Sequence, residues 1–386
     1  MSFSLLIFVG SFLVTVSSFK TLSPIIPNLL LTNTAIPGLT LPAIGLGTGA
    51  YSNVDNGSAD VYPECWVGNG GNSGGGTGTC GGYVQSAVTN WLQAGGRRLD
   101  TANSYQDQVD VGIAMNNFIA TGAVTRDEIF LLSKVGPSHP LGGNDVKTQF
   151  QGILVDMNVT YIDLLLVHWP WFSASKGNVT NNVTVSSTPA CNHTDAQFSE
   201  KLCRLDTWQG MLDIFNSGQV RSIGVSNYNI THFEEINEAG LPLPALTQSP
   251  FHLYRSSTQA DLLIFCAKHG ITFLGYSPFG VPDYHNYTFS NSPSPNQLNH
   301  PYVLSLASKY NVTTAQVLIQ WQWQIGVPVN PRTVNPQHML DNLNTYAIFQ
   351  ENGGLNETEV NTLFSQPQDF CDETNTWYEC APPQDD

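Results

Sequence analysis

The sequence of 386 residues predicts an α/β fold, a (β/α)8 barrel in which eight parallel strands alternate with eight helical units. Short apolar runs recur along the chain, separated by segments of helical spacing, and that alternation calls for a parallel sheet. The runs lack the polar second face of a half-wet sheet, so both faces are expected to be covered. Strands this short and apolar suit a closed barrel better than an open sheet. No repeat with a period of about 20 to 50 residues is visible, and no linker splits the chain.

Ahead of the barrel, residues 29–32 and 39–42 flank a Pro37-Gly38 turn and read as an N-terminal β-hairpin. Strands are expected at 44–48, 98–101, 129–134, 162–168, 221–226, 245–248, 271–276 and 327–331. Helices are expected at 84–94, 109–120, 146–157, 206–216, 230–238, 257–269, 302–310 extended by 314–324, and 336–345. Three long inserts interrupt the alternation: 52–82, rich in Gly; 172–204, rich in Asn and Thr; and 281–300, rich in Pro and Asn. Each follows a strand and precedes a helix, so all three belong to the C-terminal face, where barrel enzymes carry their active sites. The expected organisation is a leader at 1–18, a barrel over 25–350 and an acidic tail at 351–386 that straps its periphery.

A net charge of -16, with only 14 Lys and Arg, argues against nucleic acid or an anionic membrane as partner, because both require clustered cations. Residues 5–16 form an apolar run followed by Ser17-Ser18, too short to span a bilayer comfortably and shaped like a secretory signal peptide. No Lys or Arg precedes the run, which leaves an uncleaved anchor open. Cysteines are close in sequence as Cys65 and Cys80, Cys191 and Cys203, and Cys371 and Cys380, as local disulfides of an oxidising compartment would be. Cys266 lies in an apolar helical run and is expected to be a buried thiol. Nine Asn-x-Ser/Thr acceptors occur, at Asn56, Asn158, Asn178, Asn182, Asn192, Asn229, Asn286, Asn311 and Asn356. Together these features predict a glycoprotein that is secreted or held in the secretory-pathway lumen.

Two motifs invite over-reading. Gly45-Leu46-Gly47-Thr48-Gly49-Ala50 fits a dinucleotide-binding fingerprint, but a loop and not a helix follows it. The glycines around Gly70 to Gly78 lack the Lys-Ser/Thr ending of a phosphate-binding loop. No Cys/His spacing suggests a metal.

The chemistry is carried by a series. Arg98-Leu99-Asp100 delivers a carboxylate at a strand end, and Tyr105 follows in the next loop. Lys134 ends the apolar run Ile129-Phe130-Leu131-Leu132-Ser133, where a buried ammonium is costly unless a carboxylate pairs with it. His168 ends the following strand, after Leu164-Leu165-Leu166-Val167. These four residues would gather at one barrel end. A carbonyl accepting hydride develops charge on oxygen and needs a proton, and a phenol is a weak acid without help. A neighbouring ammonium would lower the phenol's pKa, the aspartate would hold the lysine in place, and the histidine would orient the carbonyl.

On these residues the chain resembles the aldo-keto reductase family, from the hairpin to about Phe349. Asp100, Tyr105, Lys134 and His168 match that family's catalytic tetrad in type, order and approximate spacing. The resemblance implies a TIM barrel and reduction of an aldehyde or ketone by NADPH, with NADH possible and with Tyr105 as proton donor. It also implies nicotinamide contacts from Ser226, Asn227 and Gln248, ring stacking by Tyr276, and further cofactor contacts from Gly47, Thr48, Ser277 and Phe279. Arg332, Thr333, His338 and Asn342 align with the 2'-phosphate and adenine segment. There, His338 replaces a second cation, so weaker discrimination against NADH is expected. Trp66, Trp169, Trp171, Tyr284 and Tyr287 are candidate substrate linings. A small-molecule carbonyl is the expected substrate, with no metal, no nucleic acid and no membrane contact beyond the signal peptide, and the protein is expected to act as a monomer. Two rival readings are a non-catalytic cofactor-binding or regulatory barrel, and a barrel hydrolase built on Asp100; the second lacks a partner carboxylate at a strand end.

Overall fold

A computed structural model describes residues 5–9, 12–16, 28–31, 34, 37–49, 81–136, 139–171, 186–192, 195–280 and 297–366. Strands β1 (Leu5–Val9) and β2 (Phe12–Val16) pair with each other as an antiparallel ribbon. Strands β3 (Asn28–Leu30) and β4 (Thr40–Pro42) form the expected hairpin, with Gly38 at φ 82°, a turn conformation that favours glycine.

The remaining strands build one eight-stranded parallel sheet in chain order. They are β5 (Leu46–Gly47), β6 (Arg98–Asp100), β7 (Phe130–Val135), β8 (Ile162–Val167), β9 (Val220–Ser226), β10 (Leu246–Pro250), β11 (Thr272–Tyr276) and β12 (Val329–Asn330). A parallel bridge between Ile44 and Val329 joins the last strand to the first. Gly45 N donates to Val329 O at 3.0 Å, and Val329 N donates to Ala43 O at 2.8 Å. Closure leaves the eight-stranded sheet without an unpaired edge, and all eight expected strands are present.

Helices α1 (Gly81–Gln93), α2 (Gln108–Ala120), α3 (Gly143–Met157), α4 (Glu200–Asn216), α5 (Ile230–Glu238), α6 (Ala260–His269), α7 (Pro301–Tyr310), α8 (Thr314–Gln324) and α9 (Pro336–Glu351) follow the strands. The run from 302 to 324 divides at Asn311, which is left-handed at φ 52°, and Thr313 then caps α8 by accepting from Gln316 N. The helix that opens the tail was not anticipated. The acidic tail begins with α10 (Glu357–Phe364), capped by Asn356 and Glu359 and buried through Val360, Leu363 and Phe364. Its few apolar residues all fall on one face, so a short helix docks where a strap was expected. Cys191 and Cys203 form a disulfide with Cα atoms 4.7 Å apart, and Cys266 is a buried free thiol. The other two cysteine pairs lie outside the described residues.

Two apolar layers follow from the alternation of side chains along each strand. One set, Phe130, Leu132, Leu164, Leu166, Leu246 and Leu274, clusters with Leu31, Leu39 and Leu41 of the hairpin. The hairpin therefore plugs the end of the barrel at which the strands begin. The other set packs outward against the helices. Near the plugged end, the buried Asp163 accepts from Leu131 N at 2.9 Å, Arg126 Nη2 at 3.0 Å and Arg221 Nη1 at 3.0 Å. The two guanidiniums also lie over the Tyr161 ring, at 4.1 and 4.4 Å from its centroid. One carboxylate thus ties together β7, β8 and β9, whose far ends carry Lys134, His168 and Ser226. Replacing Asp163 with Ala should cost about 2 to 3 kcal/mol of stability, read by urea denaturation, because it strands a buried N–H and two cations.

Candidate active site

The period-two alternation that stacks the inner leucines also brings the polar groups together. Lys134 shares the inward face of β7 with Phe130 and Leu132, and His168 continues the inward face of β8 after Leu164 and Leu166. Gln248 follows Leu246 on β10, and Tyr276 follows Leu274 on β11, in the same way. Leucine fills the interior near the hairpin, and reactive groups fill it at the strands' C-terminal ends.

Lys134 and Asp100 form a buried ion pair, both nearly inaccessible. Lys134 Nζ also donates to Thr101 O at 3.1 Å and to Tyr105 Oη at 3.3 Å. The second oxygen of Asp100 accepts from Gln248 Nε2 at 2.6 Å and from Asn330 Nδ2 at 2.5 Å. The Tyr105 ring stands edge-on to His168, with centroids 5.4 Å apart at 82°. Ser104 Oγ lies 3.1 Å from His168 Nδ1. The expected four residues converge, and Thr101, Ser104 and Asn330 join them.

Burial favours a neutral Lys134, but Asp100 and Tyr105 outweigh it and hold the amine above its ordinary range, as an ammonium. Burial pushes the Tyr105 phenol upward, and Lys134 pulls it back only in part. This corrects the expectation of a lowered phenol pKa: the lysine acts in that direction, but desolvation exceeds it. The phenol keeps its proton at neutral pH as a result. Burial and the nearby ammonium hold His168 well below the usual imidazole range, so it is neutral and can donate or accept but carries no charge.

The glycine motif of β5 finds its use here. A Cβ on Gly45 would lie 2.3 Å from Arg98 Nε and 2.7 Å from Asn330 Oδ1, and one on Gly49 would lie 2.8 Å from the Tyr105 ring. Alternate inward positions on this stretch carry no side chain, so Arg98, Asn330 and the phenol fit beside it. The motif is a packing strip and not a phosphate loop, in keeping with the absence of a following helix.

The aldo/keto reductase family profile matches residues 67–352. The chain belongs to the aldo/keto reductase family. It is 30% identical over 268 residues to aldo-keto reductase family 1 member A1 of Xenopus tropicalis, covering 69% of this chain and 77% of that one. To aldose reductase B of Dictyostelium discoideum it is 29% identical over 299 residues, covering 75% and 88%. An aldo-keto reductase crystallised with NADPH superposes with a TM-score of 0.67 at 27% identity, covering 90% of this chain and 89% of that one. A Bombyx mori aldo-keto reductase in complex with NADP gives a TM-score of 0.67 at 26% identity, covering 92% and 99%.

The remaining candidate residues can be followed around the barrel mouth. Gly47 ends β5, and Thr48 N donates to Asp100 O at 2.9 Å. Asn227, left-handed at φ 63°, donates from Nδ2 to His168 O at 2.9 Å and to Ser226 Oγ at 3.0 Å. Tyr276 Oη donates to Asn227 Oδ1 at 2.9 Å, so the aromatic ring is oriented by the same amide that ties β9 to β8. Ser277 turns the chain at φ 50° into the half-buried Phe279. Arg332 Nη1 donates to Gly49 O at 3.0 Å, and Thr333 Oγ1 accepts from Asn335 N at 3.0 Å. His338 sits within 3.5 Å of both Thr333 and Asn335, and Asn342 is buried on α9. A cation and a hydroxyl thus flank the N-terminus of a long helix, a donor set that suits a phosphate. Trp169 stacks near His168, at 6.4 Å, and packs on Trp171 at 5.2 Å. Trp66, Tyr284 and Tyr287 lie outside the described residues.

Asn330 was legible only as one polar residue in an apolar strand; its partner, 230 positions away, was not. Ser104 carried no signal before its neighbour was placed. Among the described residues no group of three His, Cys, Asp or Glu could hold a metal ion, and no helix is long and apolar enough to cross a membrane. Gly49→Ala should push the Tyr105 ring aside and lower kcat for carbonyl reduction by about 10-fold to 100-fold with an unchanged thermal melt, since small displacements of a reacting group are expensive.

Proposed function

We propose that this aldo/keto reductase reduces an aldehyde or ketone to the alcohol with NADPH, and that Tyr105 supplies the proton. The observation that carries the reading is the buried contact chain Asp100, Lys134, Tyr105, beside a neutral His168 and beneath a ring of cofactor-type donors. NADPH supplies the hydride when bound. Ser226, Asn227, Gln248 and Tyr276 would hold its nicotinamide end, and Arg332 and Thr333 its 2'-phosphate. His338 offers less positive charge there than an arginine would, so NADH is expected as a weaker alternative.

The chain's own groups divide the remaining work. His168, uncharged, can donate a hydrogen bond to the carbonyl oxygen and orient it. As negative charge develops on that oxygen, the phenol proton moves to it, and the Lys134 ammonium beside Tyr105 stabilises the phenolate left behind. Asp100 fixes Lys134 and is itself fixed by Gln248 and Asn330. Trp169 and Trp171 provide apolar surface beside His168, which favours a carbonyl carried on an apolar or aromatic group. Each barrel holds the whole set of residues, so a monomer suffices. A purely binding or regulatory protein would have no use for a buried lysine-aspartate pair in contact with a phenol.

Tyr105→Phe should lower carbonyl reduction by at least about 100-fold while fluorescence titration still detects NADPH binding. Retained turnover would refute the proton-donor role, and binding of neither NADPH nor NADH by the wild type would refute the enzyme reading.

The leader, the nine sequons and the Cys191–Cys203 disulfide support a place in the secretory pathway. Asn158 and Asn311 are exposed at helix ends, whereas the Oδ1 of Asn229 accepts from His232 N at 3.0 Å and caps α5. Expression in a glycosylating host with glycopeptide mapping should find Asn158 and Asn311 more heavily modified than Asn229. A protein with no glycan at any acceptor would count against this localisation.

A further inference from the structure

Two residues beyond Tyr105, Asp107 occupies the N-cap position of α2, yet its side chain makes no capping hydrogen bond. An aspartate there ordinarily accepts from the first free N–H groups of the helix. This one turns inward and is 3% exposed. Its Oδ1 accepts from Thr101 Oγ1 at 2.5 Å, and its Oδ2 is buried without a partner in good hydrogen-bond geometry, the Thr48 hydroxyl beside the carboxyl being donated to Asp100 O at 3.2 Å. Thr101 is also the residue whose carbonyl accepts from Lys134 Nζ at 3.1 Å. One threonine therefore connects a second buried carboxylate to the ammonium that touches the phenol.

The charged and titratable groups that interact with Asp107 are Lys134 from β7 and Tyr105 from its own turn, with the hydroxyls of Thr48 and Thr101 alongside, and Asp100 from β6 acts on the same Lys134 and Tyr105. Asp110, one turn along α2, is engaged by Gln85 of α1 at 2.9 Å. A forgone cap and an unsatisfied buried oxygen both count against this placement as mere packing, since each lowers stability.

We propose that Asp107 is a positioning residue that sets the acidity of Tyr105: ionised, it holds the phenol proton in place, and protonated, it releases that restraint, so that carbonyl reduction quickens in mild acid. The proposal rests on the proton-donor reading of Tyr105. Its sign follows from electrostatics. A negative charge near the phenol opposes formation of the phenolate, and Asp107 is among the groups that raise Tyr105. Burial pushes the Asp107 carboxyl up to about 6, against the pull of Thr101, Thr48 and Lys134. Above that pH the charge is present and the phenol is a weaker acid. Below it the charge is lost, and a donor of lower pKa transfers its proton faster. The folded-state pKa lies above that of an unfolded aspartate, so the ionised form also burdens the fold near neutrality. D107N should accordingly melt no lower than the wild type.

The test compares wild type, D107N and Tyr105→Phe in NADPH-dependent reduction of para-nitrobenzaldehyde from about pH 5 to about pH 9, at saturating cofactor. The wild-type kcat should rise about threefold to tenfold as pH falls through the Asp107 ionisation. D107N should stay at the fast level across that range. A readout independent of turnover accompanies it. The Tyr105 phenolate absorbance, taken as the ultraviolet difference between each protein and its Tyr105→Phe counterpart, should titrate at lower pH in D107N than in wild type. Coincident phenolate titrations in the two proteins would overturn the proposal. An active Tyr105→Phe would instead sink the underlying proton-donor reading, and the absorbance comparison would still report on Asp107 by itself.

Discussion

The structure at the barrel mouth depends on an ammonium that has been taken out of water. Lys134 is fully buried, and such a group persists only when an opposite charge and good acceptors replace its hydration. Asp100, Thr101 O and Tyr105 Oη supply that replacement, and each comes from β6 or the turn just after it. The requirement fixes the relative height of β6 and β7 and brings the phenol beside the cation. Asp100 in turn needs its second oxygen satisfied, which draws Gln248 from β10 and Asn330 from β12 across the interior. A single desolvated charge thus organises four of the eight strands at one end.

The opposite end of the same interior shows what that arrangement costs and how it is offset. Leucines from four strands close on the hairpin and form a dry plug, and Asp163 binds three strands together just outside it. The apolar floor is rigid because it is close-packed, and a rigid floor lets polar groups above it be held within a few tenths of an ångström. Arg98 lies between the two zones, with Nη2 on Val329 O at 2.6 Å and with Nε and Nη1 unpartnered. Burial pulls its guanidinium down to about 9, opposed by Asp100, so it adds positive charge beneath the aspartate at neutral pH. The polar top is a strained electrostatic balance, not a set of independent hydrogen bonds. Asp107 fits that description, as a carboxylate drawn in toward the lysine at the expense of a helix cap.

Much of this was legible in the residues alone. Eight apolar runs and their intervening helices were readable because strand and helix periodicities survive without knowledge of tertiary contacts. Asp100, Tyr105, Lys134 and His168 could be picked out because a charged or polar residue ending an apolar strand is a local anomaly. The short helix α10 was missed, since an acidic tail with few apolar residues gives little periodic signal over eight positions.

Sequence by itself determined the strand order, the end of the barrel at which chemistry gathers and the identity of its four central residues, because these depend on local pattern and chain order. Tertiary structure alone decided how those residues act on one another. Asn330 reaches Asp100, Ser104 reaches His168, and Asp107 abandons its helix for Thr101, all through contacts between residues whose local sequence gives no hint of a partner. The sign of the Tyr105 shift was decided there too. An adjacent lysine argues for a more acidic phenol, but the depth of burial outweighs it, and burial is a property of the closed barrel and not of any segment within it.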